Sequence, residues 1–340
     1  MTLLSSISSS SVGAFGRYGR FARKLILFLA CVAVLEALSY LFVPPLHPLE
    51  AVSRRKPPLL QSVLDGSARY DTFFVGSSLT EDGLNADLFA QHFGGTAFNA
   101  GLAGTANVTF ANSLIRQIIA KKHPSLVVYG IENFVLDRAA HEVDTQMFRF
   151  LNLYRQRYQI KKWVIQSLHG RFRAPPALWN AEAHVADFDT RFRHFDGAQL
   201  HPNGWVEVHA TANFAWQIDA APPPAFSFEP IHVQAIRDLE QLSRESGTAI
   251  VFVQFPQSVV AIYSTPDRLQ GFRSFMSEYV EKAGFVYLDF NDGLTFPRNN
   301  PAMYFDKGHL NSDGASLFAP MLAAEIAKRC RHDGPRVICS

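Results

Sequence analysis

Phe73-Phe74-Val75-Gly76-Ser77-Ser78-Leu79-Thr80 is an apolar run that breaks off at a glycine and two serines. The apolar residues from Tyr70 to Val75 predict a buried strand, and the pattern that starts near Asn85 predicts a helix after it. In an open parallel sheet, a turn from strand to helix lies at the carboxyl edge, where reacting groups gather. Ser78 is therefore a candidate nucleophile. The alternative is a Gly-Ser turn that merely ends a strand.

A second motif, Asp306-Lys307-Gly308-His309, stands near the far end of the chain, just before a helical pattern. A serine hydroxyl becomes a good nucleophile when a base takes its proton, and a carboxylate can orient that base. Ser78, His309 and Asp306 could fill these three roles. The alternative is a helix cap and a surface histidine, in a segment that also holds the good capping residues Asn311 and Ser312.

These motifs resemble the blocks of the SGNH (GDSL-like) hydrolase superfamily, and they occur in family order from Tyr70 to about residue 328. The first block, Gly-Asp-Ser-Leu, reads Gly76-Ser77-Ser78-Leu79 here, and the last, Asp-x-x-His, runs from Asp306 to His309. The glycine of the second block corresponds to Gly104. The asparagine of the third block corresponds to Asn133, within Gly130-Ile131-Glu132-Asn133.

The resemblance implies that Ser78, Asp306 and His309 are catalytic. It also implies an oxyanion hole made by the backbone N–H groups of Ser78 and Gly104 and by the side-chain amide of Asn133. Two departures from the family pattern matter. Ser77 replaces the usual aspartate, as in membrane-anchored relatives that help to acylate envelope polymers, and the third block lacks its Gly-x-Asn-Asp form. Asn133 could instead be a loop residue that bonds its own backbone.

Strand-like and helix-like segments alternate over much of the chain. This alternation predicts an α/β fold, a doubly wound parallel sheet covered by helices on both faces, and the resemblance implies a flavodoxin-like, SGNH-like version of it. The predicted strands are Tyr70–Val75, Thr96–Asn99, Leu126–Tyr129, Thr248–Phe255 and Phe285–Asp289. The rhythm stops between residues 137 and 228, and we expect this insertion to form a lid or a partner surface beside the crevice.

A nearly unbroken apolar run covers residues 25–43, behind four basic residues. It is about long enough to cross a bilayer, and the basic flank favours a cytoplasmic N-terminus with the rest exported. A cleaved signal peptide is the rival interpretation, but Pro44 and Pro45 stand where a small-x-small cleavage site would be needed. We therefore expect a cytoplasmic tail (1–24), a transmembrane signal anchor (25–43), a linker (44–67), an α/β domain (68–329) and a C-terminal tail (330–340).

Composition excludes some classes of function. Of 340 residues, 48% are apolar and 13% aromatic, which is ample for a packed core, and the net charge of +2 gives no indication of a nucleic-acid partner. No P-loop, dinucleotide fingerprint or Gly-x-Ser-x-Gly elbow is present, and we expect no cofactor. His194, His201 and His209 lack metal-ligand spacing, so we interpret them as ordinary loop residues and expect no metal. Cys330 and Cys339 could pair in an oxidising compartment or remain two free thiols.

Taken together, the sequence predicts a single-pass protein of the cytoplasmic membrane, with its α/β domain on the extracytoplasmic side. The expected activity is that of a serine esterase or O-acyltransferase on acyl, often acetyl, esters of an envelope polysaccharide. The resemblance implies a membrane-bound O-acyltransferase as a partner. The alternative is a catalytically inactive scaffold of the same fold that serves envelope polymer modification.

Overall fold

The computed structural model describes residues 21–34, 55–103, 108–133, 135–136, 192–213, 226–260, 266–291, 296–334 and 336–339. The chain divides into two compact units, one of residues 1–45 and 164–181 and the other of residues 46–163 and 182–340. In the first unit the described segment is a helix over 21–34, and its apolar side chains are exposed. Within the described ranges, no helix combines the length and the apolar character that a bilayer crossing needs. The predicted anchor, 25–43, extends beyond them.

A five-stranded sheet forms the centre of the second unit, with all neighbouring strands parallel. The strands are β1 (Thr72–Val75), β2 (Ala97–Asn99), β3 (Leu126–Gly130), β6 (Ala249–Gln254) and β7 (Val286–Asp289). Their order in the sheet is β2-β1-β3-β6-β7, which is the flavodoxin-like order when the five strands are taken in sequence. This arrangement confirms the predicted α/β class and parallel sheet. The order of the strands reverses between β1 and β3, so a crevice is expected at their carboxyl ends.

Helices cover both faces of the sheet. Successive side chains on each strand point to opposite faces, so each strand contributes to two apolar clusters. Phe73 packs in one apolar cluster and Phe74 in the other. The first face is covered by α1 (Lys56–Asp65), α4 (Val108–Lys122), α5 (Pro230–Ser246) and α6 (Pro266–Phe275), which continues as a π-helical segment, Met276–Glu281. The second is covered by α3 (Ala86–Phe93) and α7 (Ser312–Arg329), while the short α2 (Ser78–Gly83) follows β1 directly.

The predicted linker, 44–67, needs a correction. Residues 56–65 form α1, and Leu60, Val63 and Leu64 are buried against the first face of the sheet. The Pro57-Pro58 pair, which suggested a linker, lies in the first turn of this helix, where a missing N–H costs no intrahelical hydrogen bond. The α/β domain therefore begins before residue 68.

Two antiparallel hairpins complete the described structure. One, β4 (Phe192–Leu200) with β5 (Val206–Ala212), comes from the predicted insertion, whose residues 137–191 and 214–225 lie outside the described ranges. The other, β8 (Cys330–Asp333) with β9 (Arg336–Cys339), occupies the predicted C-terminal tail. A disulfide joins Cys330 to Cys339, so these two cysteines are paired and are not free thiols. Cys330 and Val337 are buried against the second face of the sheet, so this segment is part of the folded domain.

Candidate active site

Ser78 is the first residue of α2 and lies directly beyond the carboxyl end of β1. Ser77 caps the helix, because its hydroxyl accepts the N–H of Leu79 at 3.2 Å. Gly76 is needed where this turn approaches the neighbouring strand. A Cβ at that position would lie 2.1 Å from Thr80 Oγ1 and 2.8 Å from the carbonyl oxygen of Gly130. The turn is thus held tightly against the end of β3, and Ser78 is left half-buried at the rim.

Ser78, His309 and Asp306 are joined by hydrogen bonds although 231 residues separate the serine from the histidine. Ser78 Oγ lies 2.8 Å from His309 Nε2. On the far side of the ring, His309 Nδ1 lies 2.9 Å and 2.8 Å from the two carboxylate oxygens of Asp306. A nucleophile, a base and an orienting carboxylate in this order form the geometry of a serine triad.

The loop that carries Asp306 and His309 is closed on itself. Tyr304 and Leu310 form an antiparallel bridge, and the N–H of Phe305 donates to the carbonyl of His309 at 3.1 Å. Asp306 Oδ1 also accepts the backbone N–H groups of Gly308 and His309, each at 2.7 Å. The same carboxylate therefore fixes both the loop and the imidazole. The ring of Phe305 stacks on the ring of His309, with centroids 5.2 Å apart and an interplanar angle of 18°.

The two charged members of the triad shift each other's pKa. Burial would lower the pKa of His309, but the Asp306 carboxylate, with smaller contributions from Asp82 and Glu132, raises it to about 9. For Asp306, burial acts to raise the pKa, but the imidazolium of His309 and the N–H groups of Gly308 and His309 hold it below its usual value. At neutral pH the resting pair is therefore mostly an imidazolium beside a carboxylate.

Of the predicted oxyanion donors, Gly104 lies outside the described residues. Asn133 is buried in the turn after β3, three residues beyond the end of that strand's pairing with β6. The role of this side chain in an oxyanion hole remains a prediction. The neighbouring residue, Glu132, does reach the turn before α2, since its Oε1 accepts the hydroxyl of Ser77.

Buried acidic residues lie near the triad, and no pattern in the sequence predicts their burial. Glu81, Asp82 and Glu132 are all nearly inaccessible to solvent. Desolvation raises the pKa of Asp82 well above its ordinary range, and nearby Glu81 raises it further.

A buried cation faces these acids from α1. Lys56 is inaccessible to solvent, and its Nζ lies 3.2 Å from Asn99 Oδ1 and 3.7 Å from Glu81 Oε1. Burial lowers the pKa of Lys56 to about 8, although Glu81 and Asp82 oppose the shift. The side-chain amide of Asn99 donates to the carbonyl oxygens of Thr80 and Leu84, at 2.7 Å and 2.9 Å. Lys56 and Asn99 together thus tie α1 and β2 to the helix that begins at Ser78.

The described end of the insertion packs against the site. Trp205 is buried, and its indole N–H donates to the carbonyl of Asp82, on α2, at 2.8 Å. Ala212 N–H donates to the carbonyl of Tyr304 at 2.7 Å, beside the catalytic loop. Phe305 packs against Val206, Val208 and Ala210 of β5. This part of the insertion therefore braces both halves of the triad, while the lid or partner surface expected of the whole insertion remains a prediction.

Of the three histidines in the insertion, which the sequence predicts to be loop residues, only His201 lies in a loop. His194 and His209 lie on β4 and β5, and His201 follows β4. Nε2 of His201 lies 2.8 Å from Glu207, and Nε2 of His209 lies 3.3 Å from the same carboxylate. Among the residues that the structure describes, no group of three or more His, Cys, Asp or Glu side chains is arranged to hold a metal ion.

Comparison with models of protein families gave no match, and comparison with curated protein sequences gave none. Among solved structures, a GDSL-like lipase from Bacteroides thetaiotaomicron matches with 10% identity and a TM-score of 0.39, over 76% of this chain and 87% of that one. An acetyl xylan esterase, AlAXEase, matches with 11% identity and a TM-score of 0.39, over 75% and 98%. The periplasmic domain of a lipopolysaccharide acetyltransferase from Salmonella ser. Paratyphi A matches with 12% identity and a TM-score of 0.36, over 79% and 88%. Similarity this low carries no argument about function.

Proposed function

We propose that this protein is an esterase or O-acyltransferase that works through an acyl-serine intermediate on Ser78. The observation that carries the proposal is the continuous hydrogen-bonded series from Ser78 Oγ through His309 to Asp306. Ser78 follows β1, whereas His309 lies 231 residues further along the chain. The packing of the sheet alone therefore does not require these two side chains to meet. Their order and contacts suit the removal of a proton from the serine hydroxyl.

In the acylation step, neutral His309 takes the proton of Ser78 through Nε2 while the serine oxygen attacks the ester carbonyl. Asp306 holds Nδ1–H and stabilises the imidazolium that forms. The oxyanion of the tetrahedral intermediate is stabilised by the N–H groups of Ser78 and Gly104 and by Asn133. The imidazolium then gives its proton to the departing alcohol oxygen, which leaves the acyl group on Ser78.

In the second step, His309 takes a proton from the acceptor that attacks the acyl-serine, and returns it to Ser78. If water is the acceptor, the products are a carboxylic acid and free enzyme. If a sugar hydroxyl is the acceptor, the acyl group is transferred. We propose an acylated envelope polysaccharide as the substrate, with acetyl as the acyl group and a membrane-bound O-acyltransferase as partner, on the strength of the resemblance of the Gly76-Ser77-Ser78-Leu79 block to anchored relatives.

We also propose that the domain lies on the extracytoplasmic side of the cytoplasmic membrane and is held there by residues 25–43. The Cys330–Cys339 disulfide supports this location, because such bonds persist in oxidising compartments. Protease added to intact spheroplasts should remove the domain. Protection of the domain, or a mature N-terminus beyond Val43, would contradict this part of the proposal.

The activity is tested by labelling the full-length, detergent-solubilised protein with a serine-reactive fluorophosphonate at pH 9. Labelling should occur and should disappear in Ser78→Ala. Ser312→Ala is the matched control, because Ser312 begins the helix after the catalytic loop and bonds His209, not the triad. Folded protein that does not react would instead support the inactive scaffold.

A further inference from the structure

A buried hydrogen bond links the two loops that meet at the crevice. The hydroxyl of Ser77 donates to Glu132 Oε1, and Ser77 Oγ in turn accepts the N–H of Leu79. Ser77 is 3% exposed and Glu132 is 1% exposed. Their strands, β1 and β3, are adjacent in the sheet, with Val75 opposite Tyr129. The residue directly before the nucleophile is therefore held from the end of the neighbouring strand.

Burial of the carboxyl group of Glu132 costs free energy. Its second oxygen, Oε2, is inaccessible and has no hydrogen-bond partner within the described part of the chain. Buried polar atoms left in this state cost free energy and are uncommon, so one that persists calls for an explanation. Burial raises the pKa of Glu132 to about 7, although the bond from Ser77 opposes the shift. The proposed mechanism makes no use of this group.

We propose that Glu132 is a positioning residue, which acts through Ser77 on the turn that presents Ser78. This inference rests on the proposed function. Ser77 Oγ can cap α2 and donate to Glu132 at once because a hydroxyl both accepts and donates. An aspartate at position 77, as in the family pattern, would place a second carboxylate against Glu132 in a buried site. Ser77 and Glu132 thus form a complementary pair, in which the first block supplies the hydroxyl and the third block supplies the carboxylate.

Several titratable groups lie near the Ser77–Glu132 pair. The test must therefore distinguish the effect of Glu132 on the position of Ser78 from the effect of its charge on these groups. His309 faces Glu132, while Asp306 and Asp82 face His309. Tyr129 is also near Glu132, but burial is the larger cause that raises the pKa of Tyr129. Glu132→Gln keeps an oxygen that can accept the Ser77 hydroxyl but removes the charge. Glu132→Ala and Ser77→Ala remove the hydrogen bond itself.

The test compares kcat for an aryl ester across these variants of the full chain. On the pH plateau, Glu132→Ala and Ser77→Ala should each lower kcat by about 10- to 100-fold, since small displacements of a nucleophile have costs of this order. The double variant should lose no more than either single one, because the two residues act as a unit. Glu132→Gln should recover most of the loss, and its kcat/KM should reach the plateau at a lower pH than that of the wild type.

Thr248→Val is the matched control. It removes another buried side-chain hydrogen bond, from Thr248 Oγ1 to the carbonyl of Pro124 at 2.9 Å, at the opposite edge of the sheet. It should leave kcat unchanged. Wild-type kcat in Ser77→Ala, additive losses in the double variant, or equal losses in Glu132→Gln and Glu132→Ala would each overturn the inference. A folded protein in which Ser78 does not react with the fluorophosphonate would contradict the proposed function itself. The outcomes above would contradict only the positioning role of Glu132, so the two failures are distinguishable.

Discussion

Raising the pH should activate the enzyme over an unusually alkaline range. His309 can accept the Ser78 proton only when its imidazole is neutral, and its pKa is raised to about 9 in the resting site. At pH 7, two units lower, about 1 molecule in 100 carries the neutral base. Because kcat/KM follows the ionisation of the free enzyme, it should rise about tenfold per pH unit from 6 to 8 and level off above 9.

The assay is the initial rate of aryl ester hydrolysis between pH 6 and 10.5 at constant ionic strength. The rate of Ser78→Ala is subtracted at each pH, because hydroxide cleaves such esters without an enzyme. Hydroxylamine trapping of the acyl-enzyme can supply a second readout that does not depend on the leaving group. A plateau that is already reached at pH 7 would refute the reasoning, since it would mean that Asp306 does not hold a proton on His309.

Three further outcomes are expected. Asn133→Ala should lower kcat by about 10²–10³-fold if its amide donates to the oxyanion; a near-normal kcat in a folded variant would show that this assignment is wrong. Trp205→Phe removes the indole N–H that donates to the carbonyl of Asp82, together with some buried volume. The free energy of unfolding in urea should therefore fall by about 1–3 kcal/mol, and kcat should also fall. Unchanged values of both would contradict the bracing role of the hairpin. The free energy of unfolding should fall as pH rises from 6.5 to 9, because the folded state holds the His309 proton more tightly than the unfolded chain does. The comparison is with His309→Gln, which should lose this part of the pH dependence; an equal slope in both proteins would rule out the shifted histidine as its source.

Much of the fold could be predicted because its signals are local. The apolar strands and the helices between them appear as short periodic segments, and their alternation predicts a parallel sheet. Ser78 and His309 could be paired from the sequence because both follow recognisable motifs. The short α1 helix was missed, since Pro57 and Pro58 suggest a linker until their place in a first turn is known.

The environment of the triad could not be predicted, because it depends on contacts between distant segments. Charged residues are usually exposed, so Glu81 and Glu132 gave no local indication of being buried. Their burial arises from the packing of α1, β2 and the insertion around α2. The contact of Ala212 with Tyr304 spans two segments with no shared motif, and nothing in the pattern of either one predicts it.

Lys56 has a practical consequence for where the protein can be cut. Its ammonium group lies 3.7 Å from Glu81 Oε1, on the helix that begins at Ser78, although Lys56 belongs to a segment that the sequence alone assigns to a linker. A recombinant fragment that starts at residue 68 would therefore lack the cation and leave Glu81 and Asp82 facing each other in the interior. A shortened fragment should begin early enough to retain residue 56.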